Sequence, residues 1–68
     1  MMTTLTNFFN SMLARAEYAN QELRMMLKHQ CFGALVFFQE EHPELYSEAQ
    51  NLWMDKYLPE FNKLIERN

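Results

Sequence analysis

The chain has 68 residues, of which 49% are hydrophobic and 15% aromatic, and its formal net charge is −3. A chain of this length forms one small domain, so we expect residues 1–68 to share a single core. The hydrophobic content excludes disorder, the single cysteine excludes an internal disulfide bond, and six dispersed Lys and Arg residues argue against direct nucleic-acid binding.

No membrane or secretion segment is expected. The longest apolar run, Cys31–Phe38, has eight residues, whereas a membrane helix needs about 20. The first residues lack the basic start and apolar core of a signal peptide. We therefore expect a soluble, cytoplasmic protein.

The first predicted element is a long helix over residues 4–41, with Thr4 or Thr6 as its N-cap. Apolar residues recur at alternating steps of three and four along it, as a helix face requires. This stripe keeps its phase through Gly33. The members of the stripe are Phe9, Met12, Ala16, Ala19, Leu23 and Met26.

The length of this helix creates a conflict with the size of the chain. A helix over residues 4–41 would be about 57 Å long, whereas a compact domain of this size is about 30 Å across. Either the helix bends or breaks near residues 29–33, or half of it projects and is covered by another chain. The unbroken phase favours the second alternative, which predicts a homodimer.

Two short helices follow. Pro43 suits the first position of a helix over residues 43–58, and Pro59 starts or kinks into a last helix over residues 59–67. These helices are too short to cover the whole first helix, and Cys31–Phe38 is apolar on every side. The predicted fold is therefore all-α, as an intertwined or antiparallel helical homodimer.

The expected dimer interface follows the first half of the long helix, where Ala16 and Ala19 would permit close approach of a second copy. Its residues are Phe8, Phe9, Met12, Leu13, Ala16, Ala19, Leu23, Met26 and Leu27.

No residue pattern indicates catalysis, a cofactor or a metal. His29 and His42 are thirteen residues apart, whereas a zinc site needs three or four closely spaced ligands. Cys31 lies in an apolar run, where burial raises a thiol pKa, so we interpret it as a packing residue. We expect a protein that is not an enzyme.

A surface for a partner protein is expected around the acidic residues near Pro43. These carboxylates can dock onto a basic partner or simply solvate the edge of an apolar helix. The neighbouring aromatic residues suit either a core or an interface. The partner-binding candidates are Glu40, Glu41, Glu44, Tyr46, Glu48, Trp53 and Tyr57.

Two resemblances bear on function. The segment 40–45 (Glu-Glu-His-Pro-Glu-Leu), followed by Trp53 and Leu58, resembles part of the theta-type accessory subunit of bacterial DNA polymerase III, although the later basic stretch of that family is absent here. In size, aromatic and methionine content, the whole chain also resembles very small helical early-region proteins of lambdoid bacteriophages. The second resemblance implies a modulator of a host protein that works in the host cytoplasm.

Together these features predict a non-enzymatic interaction module, a small homodimeric regulator that binds and modulates a host protein, and the second resemblance implies that it is of phage type. The alternative is an accessory subunit of a nucleic-acid-processing complex, buried against a larger enzyme through its Phe8–Leu27 face.

Overall fold

A computed structural model describes residues 1–67 and shows an all-α chain of three helical segments. Helix α1 spans Met2–Glu17, helix α2 spans Gln21–Glu41, and a third segment covers residues 43–66. The all-α prediction is confirmed, but the single long helix over residues 4–41 is wrong. Its two halves fold back on each other as α1 and α2.

The break lies at residues 18–20. This is earlier in the chain than residues 29–33, where a bend or break was considered. Tyr18 ends α1 with its N–H turned to carbonyls one helical turn back. Asn20 then starts α2, because its side-chain oxygen accepts a 2.9 Å hydrogen bond from the N–H of Leu23. This cap satisfies one of the free amides of a new helix, so two helices are stable where one was predicted. The predicted caps Thr4 and Thr6 instead lie inside α1, which begins at Met2 without a side-chain cap.

The third segment is one helical run rather than two helices divided at Pro59. It begins with a 3-10 turn at Pro43–Leu45, as expected for a proline at a helix start. Helix α3 (Tyr46–Leu52) leads into a wide π turn at Trp53–Tyr57, and helix α4 (Leu58–Glu66) follows directly. In the π turn the N–H of Leu58 reaches back five residues to the carbonyl of Trp53. We attribute the uninterrupted run to this turn, because widening gives the Pro59 ring room beside the preceding carbonyls.

The π turn also aligns the buried face of the third segment. Ala49, Trp53, Tyr57 and Phe61 are all buried although they are spaced by four residues, which an α-helix would rotate by about 40° per step. A turn with more residues per revolution removes part of that drift. The four side chains therefore lie on one side of the segment and belong to the same core.

The buried side chains form one core between the three segments. Phe9 lies at its centre, with ring-centroid distances of 5.1 Å to Tyr57 and 5.3 Å to Trp53. The buried Tyr57 hydroxyl donates a 2.6 Å hydrogen bond to Oδ1 of Asn10 on α1. The core residues are Leu5, Phe9, Met12, Ala16, Leu27, Cys31, Leu35, Ala49, Trp53, Tyr57, Phe61 and Leu64.

The bundle is held at one end by side chains of α2 that bind backbone carbonyls. The Arg24 guanidinium donates hydrogen bonds to Ala16 and Glu17 at the end of α1 and to Leu64 in α4, at 2.8–3.2 Å. The Gln21 amide donates to the carbonyls of Ile65 and Arg67. Cations and amide donors at helix C-termini satisfy carbonyls that have no partner within the helix.

The folded chain measures 38 × 16 × 16 Å, with a radius of gyration of 11.8 Å. Neither half of the predicted long helix projects from the described chain, because α1 and the third segment pack along α2. The conflict of length that led to the predicted intertwined homodimer is therefore absent from this fold. Any homodimer must use a surface that the three segments leave uncovered.

Candidate interaction surfaces

Much of the predicted dimer interface lies in the core of the chain itself. Phe9, Met12, Ala16 and Leu27 are buried against the chain's own helices and cannot contact a second copy in this conformation. Leu13 and Ala19 are partly buried against the same core. The remaining three predicted residues are exposed: Phe8, Leu23 and Met26.

The predicted partner-binding residues divide in the same way. Trp53 and Tyr57 are only 2% and 0% exposed. They are therefore core residues and do not form a surface for a partner. Tyr46 is exposed on α3. The four carboxylates are exposed around the junction between α2 and the third segment, at Glu40, Glu41, Glu44 and Glu48.

An open apolar groove lies between the start of α1 and the end of α2. Its volume is about 510 Å³, within the range of ligand-binding sites. Phe8 and Phe37 are exposed on its walls, and Phe37 is 64% exposed. The residues of this end groove are Thr4, Leu5, Phe8, Ala34, Phe37, Phe38, Glu41 and His42.

The carboxylates of Glu41 and Glu44 form what we call the acidic edge of the end groove. Glu41 lines the groove, and the groove residue His42 has its Nδ1 atom 3.6 Å from a carboxylate oxygen of Glu44. The His42 ring also packs on Phe38, at 4.8 Å between centroids. These contacts fix His42 between the apolar wall and the acidic edge.

The carboxylates at the end of α2 have an unfavourable position within the chain. Glu40 and Glu41 occupy the last turn of α2, which has no basic residue. Negative charge near a helix C-terminus is destabilising by about 0.3–1 kcal/mol per group. Among residues 1–67, Lys63 forms an ion pair with Glu60 and the His42 ring contacts Glu44, whereas Glu40, Glu41 and Glu48 have no such partner.

A second apolar surface runs along the outward side of α2. It comprises the part of the run Cys31–Phe38 that α1 and the third segment leave exposed, although the whole run was expected to be covered. Between Glu22 and Glu40 the exposed residues of α2 carry no carboxylate or ammonium group. The residues of this outer face are Met25, Met26, His29, Gln30, Phe32, Gly33, Val36 and Phe37.

A smaller groove of about 360 Å³ continues the outer face towards the third segment. Phe32 and Met54 are exposed on its two sides, above the edge of the buried Trp53. The exposed apolar surface is therefore wider than α2 alone. Sequence periodicity missed it because the outward and inward sides of α2 are both apolar.

The titratable residues provide no further site. Burial raises the pKa of the Cys31 thiol to about 12, so the thiol stays protonated at neutral pH. Within residues 1–67 no group of three His, Cys, Asp or Glu side chains could hold a metal ion. No helix in that range is long and apolar enough to span a membrane.

Comparison of the chain with protein-family models, curated proteins and solved structures found no match. The resemblances to the theta-type subunit and to phage early-region proteins therefore stay predictions.

Proposed function

We propose that this protein is a non-enzymatic interaction module that binds a basic, amphipathic helix of a partner protein in the end groove. The observation that carries the proposal is the joint occurrence of an open apolar groove and the Glu41 carboxylate that lines it, which has no ion-pair partner among residues 1–67. By binding, the protein regulates the partner that supplies this helix.

The apolar part of the partner is inferred from the groove walls. Phe8 and Phe37 expose their rings, and aromatic side chains in a concave site are common anchors of protein interfaces. A partner helix that places one or two apolar side chains in the groove would remove both rings from water. Leu5 and Ala34 form the floor that would contact these side chains.

The basic part of the partner is inferred from Glu40 and Glu41, the two carboxylates in the last turn of α2. A Lys or Arg residue beside the end of α2 would offset the unfavourable interaction of these carboxylates with the helix dipole. The same charge would steer the encounter and make the association rate fall as the salt concentration rises.

Two labelled peptides test this proposal by fluorescence anisotropy. One is an amphipathic helical peptide of Leu and Lys, and the other has every Lys replaced by Glu. We expect the Lys peptide to bind and the Glu peptide to bind at least about tenfold more weakly, because only the former complements the acidic edge. Phe37→Gln and Glu41→Lys should each weaken binding of the Lys peptide.

The controls are Met54→Gln and Glu66→Lys, which change an exposed apolar residue and an exposed carboxylate outside the groove. They should leave binding unchanged. Equal effects of Glu41→Lys and Glu66→Lys would show that the charge effect is one of overall charge, and the acidic edge of the groove would then have no specific role. Circular dichroism spectra of all variants must match that of the unchanged protein.

We also propose that this regulator forms a homodimer through the outer face of α2. The support is that the chain leaves this face uncovered, with Phe32 52% and Phe37 64% exposed. The alternative function, an accessory subunit buried through the Phe8–Leu27 face, has less support, because Phe9, Met12 and Leu27 are already buried.

A further inference from the structure

We propose that two copies of the chain pair through the outer face of α2, with the two helices antiparallel and crossing at Gly33. This inference rests on the homodimer proposed above, and it does not depend on the partner of the end groove. Gly33 lies between Phe32 and Val36 on one side and Phe37 on the other, at the middle of the exposed apolar surface.

Gly33 has no role that the isolated chain requires. A Cβ atom built at this position meets no other atom within 4 Å, so a larger residue would fit in the monomer. The chain keeps no left-handed backbone conformation at Gly33 that would require glycine. Glycine is nevertheless the poorest helix former after proline. Its presence in the middle of α2 is explained if a neighbouring helix approaches closely there.

Helix periodicity places Met26, Gly33 and Glu40 along one line, because seven residues make nearly two turns. This line is the most outward part of α2, since Cys31 and Leu35 point to the core on the opposite side. A second helix that packs along the line meets a flat centre at Gly33 and larger side chains on both sides. Such a surface is self-complementary when the second copy is related to the first by a two-fold axis at Gly33.

The charges of α2 favour the antiparallel arrangement. The end of α2 has the exposed carboxylates of Glu40 and Glu41, whereas the basic groups of Arg24 and Lys28 are hydrogen-bonded within the chain. A parallel pair would place Glu40 and Glu41 beside the same residues of the second copy. An antiparallel pair instead keeps the two acidic ends apart, and it also aligns the helix dipoles favourably.

Gly33→Leu tests the interface because it affects the monomer and the dimer in opposite directions. In the monomer, leucine improves helix propensity and meets open space, so the urea midpoint at low protein concentration should rise. In the dimer, the added side chain separates the helices, so the dissociation constant from sedimentation should increase about tenfold or more.

Ala14→Leu is the matched control, because Ala14 is an exposed residue of α1 outside the outer face. It should leave the dissociation constant unchanged. An unchanged protein that stays monomeric at high micromolar concentration would overturn both the homodimer and this interface. A dimer that Gly33→Leu does not weaken would leave the homodimer standing and overturn this interface.

Engineered cysteines test the direction of the helices. In the antiparallel pair, Gly33→Cys lies at the two-fold axis and should form an intermolecular disulfide on oxidation. Met26→Cys alone should not, because the two copies of residue 26 would be about 21 Å apart along the helices. A mixture of Met26→Cys and Glu40→Cys should cross-link.

Efficient self-cross-linking of Met26→Cys would show a parallel pair and overturn the proposed arrangement. The unchanged protein is the control, since its own Cys31 is fully buried and should not cross-link.

Discussion

At the scale of single residues, the sequence shows which side chains are apolar but does not predict which of them the fold buries. Cys31 was correctly interpreted as a packing residue, and it is fully buried. Phe37, in the same apolar run, is exposed, whereas Trp53, a candidate for partner contact, is buried. Periodicity assigns a residue to a side of a helix, but when both sides are apolar it does not decide which side the other helices cover.

The buried thiol of Cys31 predicts a loss of stability at alkaline pH. Its pKa is about 12 in the folded protein against an ordinary value of 9.0, so the unfolded chain releases the proton at a lower pH than the folded one. Below pH 9 the contribution is constant, and between pH 9 and 12 it is progressively lost. Urea titrations across this range should therefore show a declining free energy of unfolding.

Cys31→Ala is the reference for this prediction, because it removes the titrating group. The difference in free energy of unfolding between the two proteins should change from pH 9 upwards. A pH-independent difference would contradict the buried thiol, as would rapid reaction of the native protein with a thiol reagent at pH 8, which is within about one unit of an ordinary cysteine pKa.

At the scale of elements, the helices were predictable and the first break was not. Pro43 marks the start of the third segment as expected, because proline restricts the residue before it and lacks an N–H. The N-cap at Asn20 was concealed because Ala16, Ala19 and Leu23 continue an apolar stripe through it. A short polar residue that can cap a helix competed with this periodicity and prevailed.

The spacing of apolar residues in the third segment carries a signal of its π turn. Its buried residues recur every four positions from Ala49 to Phe61, which is a longer period than an α-helix has. Such a period is compatible with a π turn. Pro59 predicts a boundary instead, because in an ordinary helix its ring would clash with an earlier carbonyl.

The role of Asn20 predicts the effect of removing its cap. Asn20→Ala should lower the free energy of unfolding by about 1 kcal/mol, because the Leu23 amide loses its side-chain acceptor. Chemical denaturation measures the change. Asn51→Ala, at an exposed position within α3, should change it by less than about 0.5 kcal/mol. If the two variants are equally stable, Asn20 does not define the start of α2.

At the scale of the whole molecule, Phe37 belongs to both the end groove and the outer face. A second copy on the outer face and a partner helix in the groove would therefore contact the same side chain. We expect the two associations to compete, so that adding the Leu/Lys peptide shifts the protein from dimer to monomer in sedimentation. The Leu/Glu peptide is the control. A dimer that persists when the Lys peptide is bound would show that the two surfaces are independent.

The hydrogen bonds of Arg24 and Gln21 determine which end of the bundle should open first. They connect all three segments at one end of the bundle, whereas at the other end α1 begins without a side-chain cap, beside the end groove. Opening should therefore start at the uncapped end, with the first turns of α1 lifting away while the Arg24 end acts as a hinge. Amide protons near Phe8 would then exchange with deuterium sooner than those near Ala16. The end groove could also widen to bind a bulky partner side chain while the rest of the bundle stays folded.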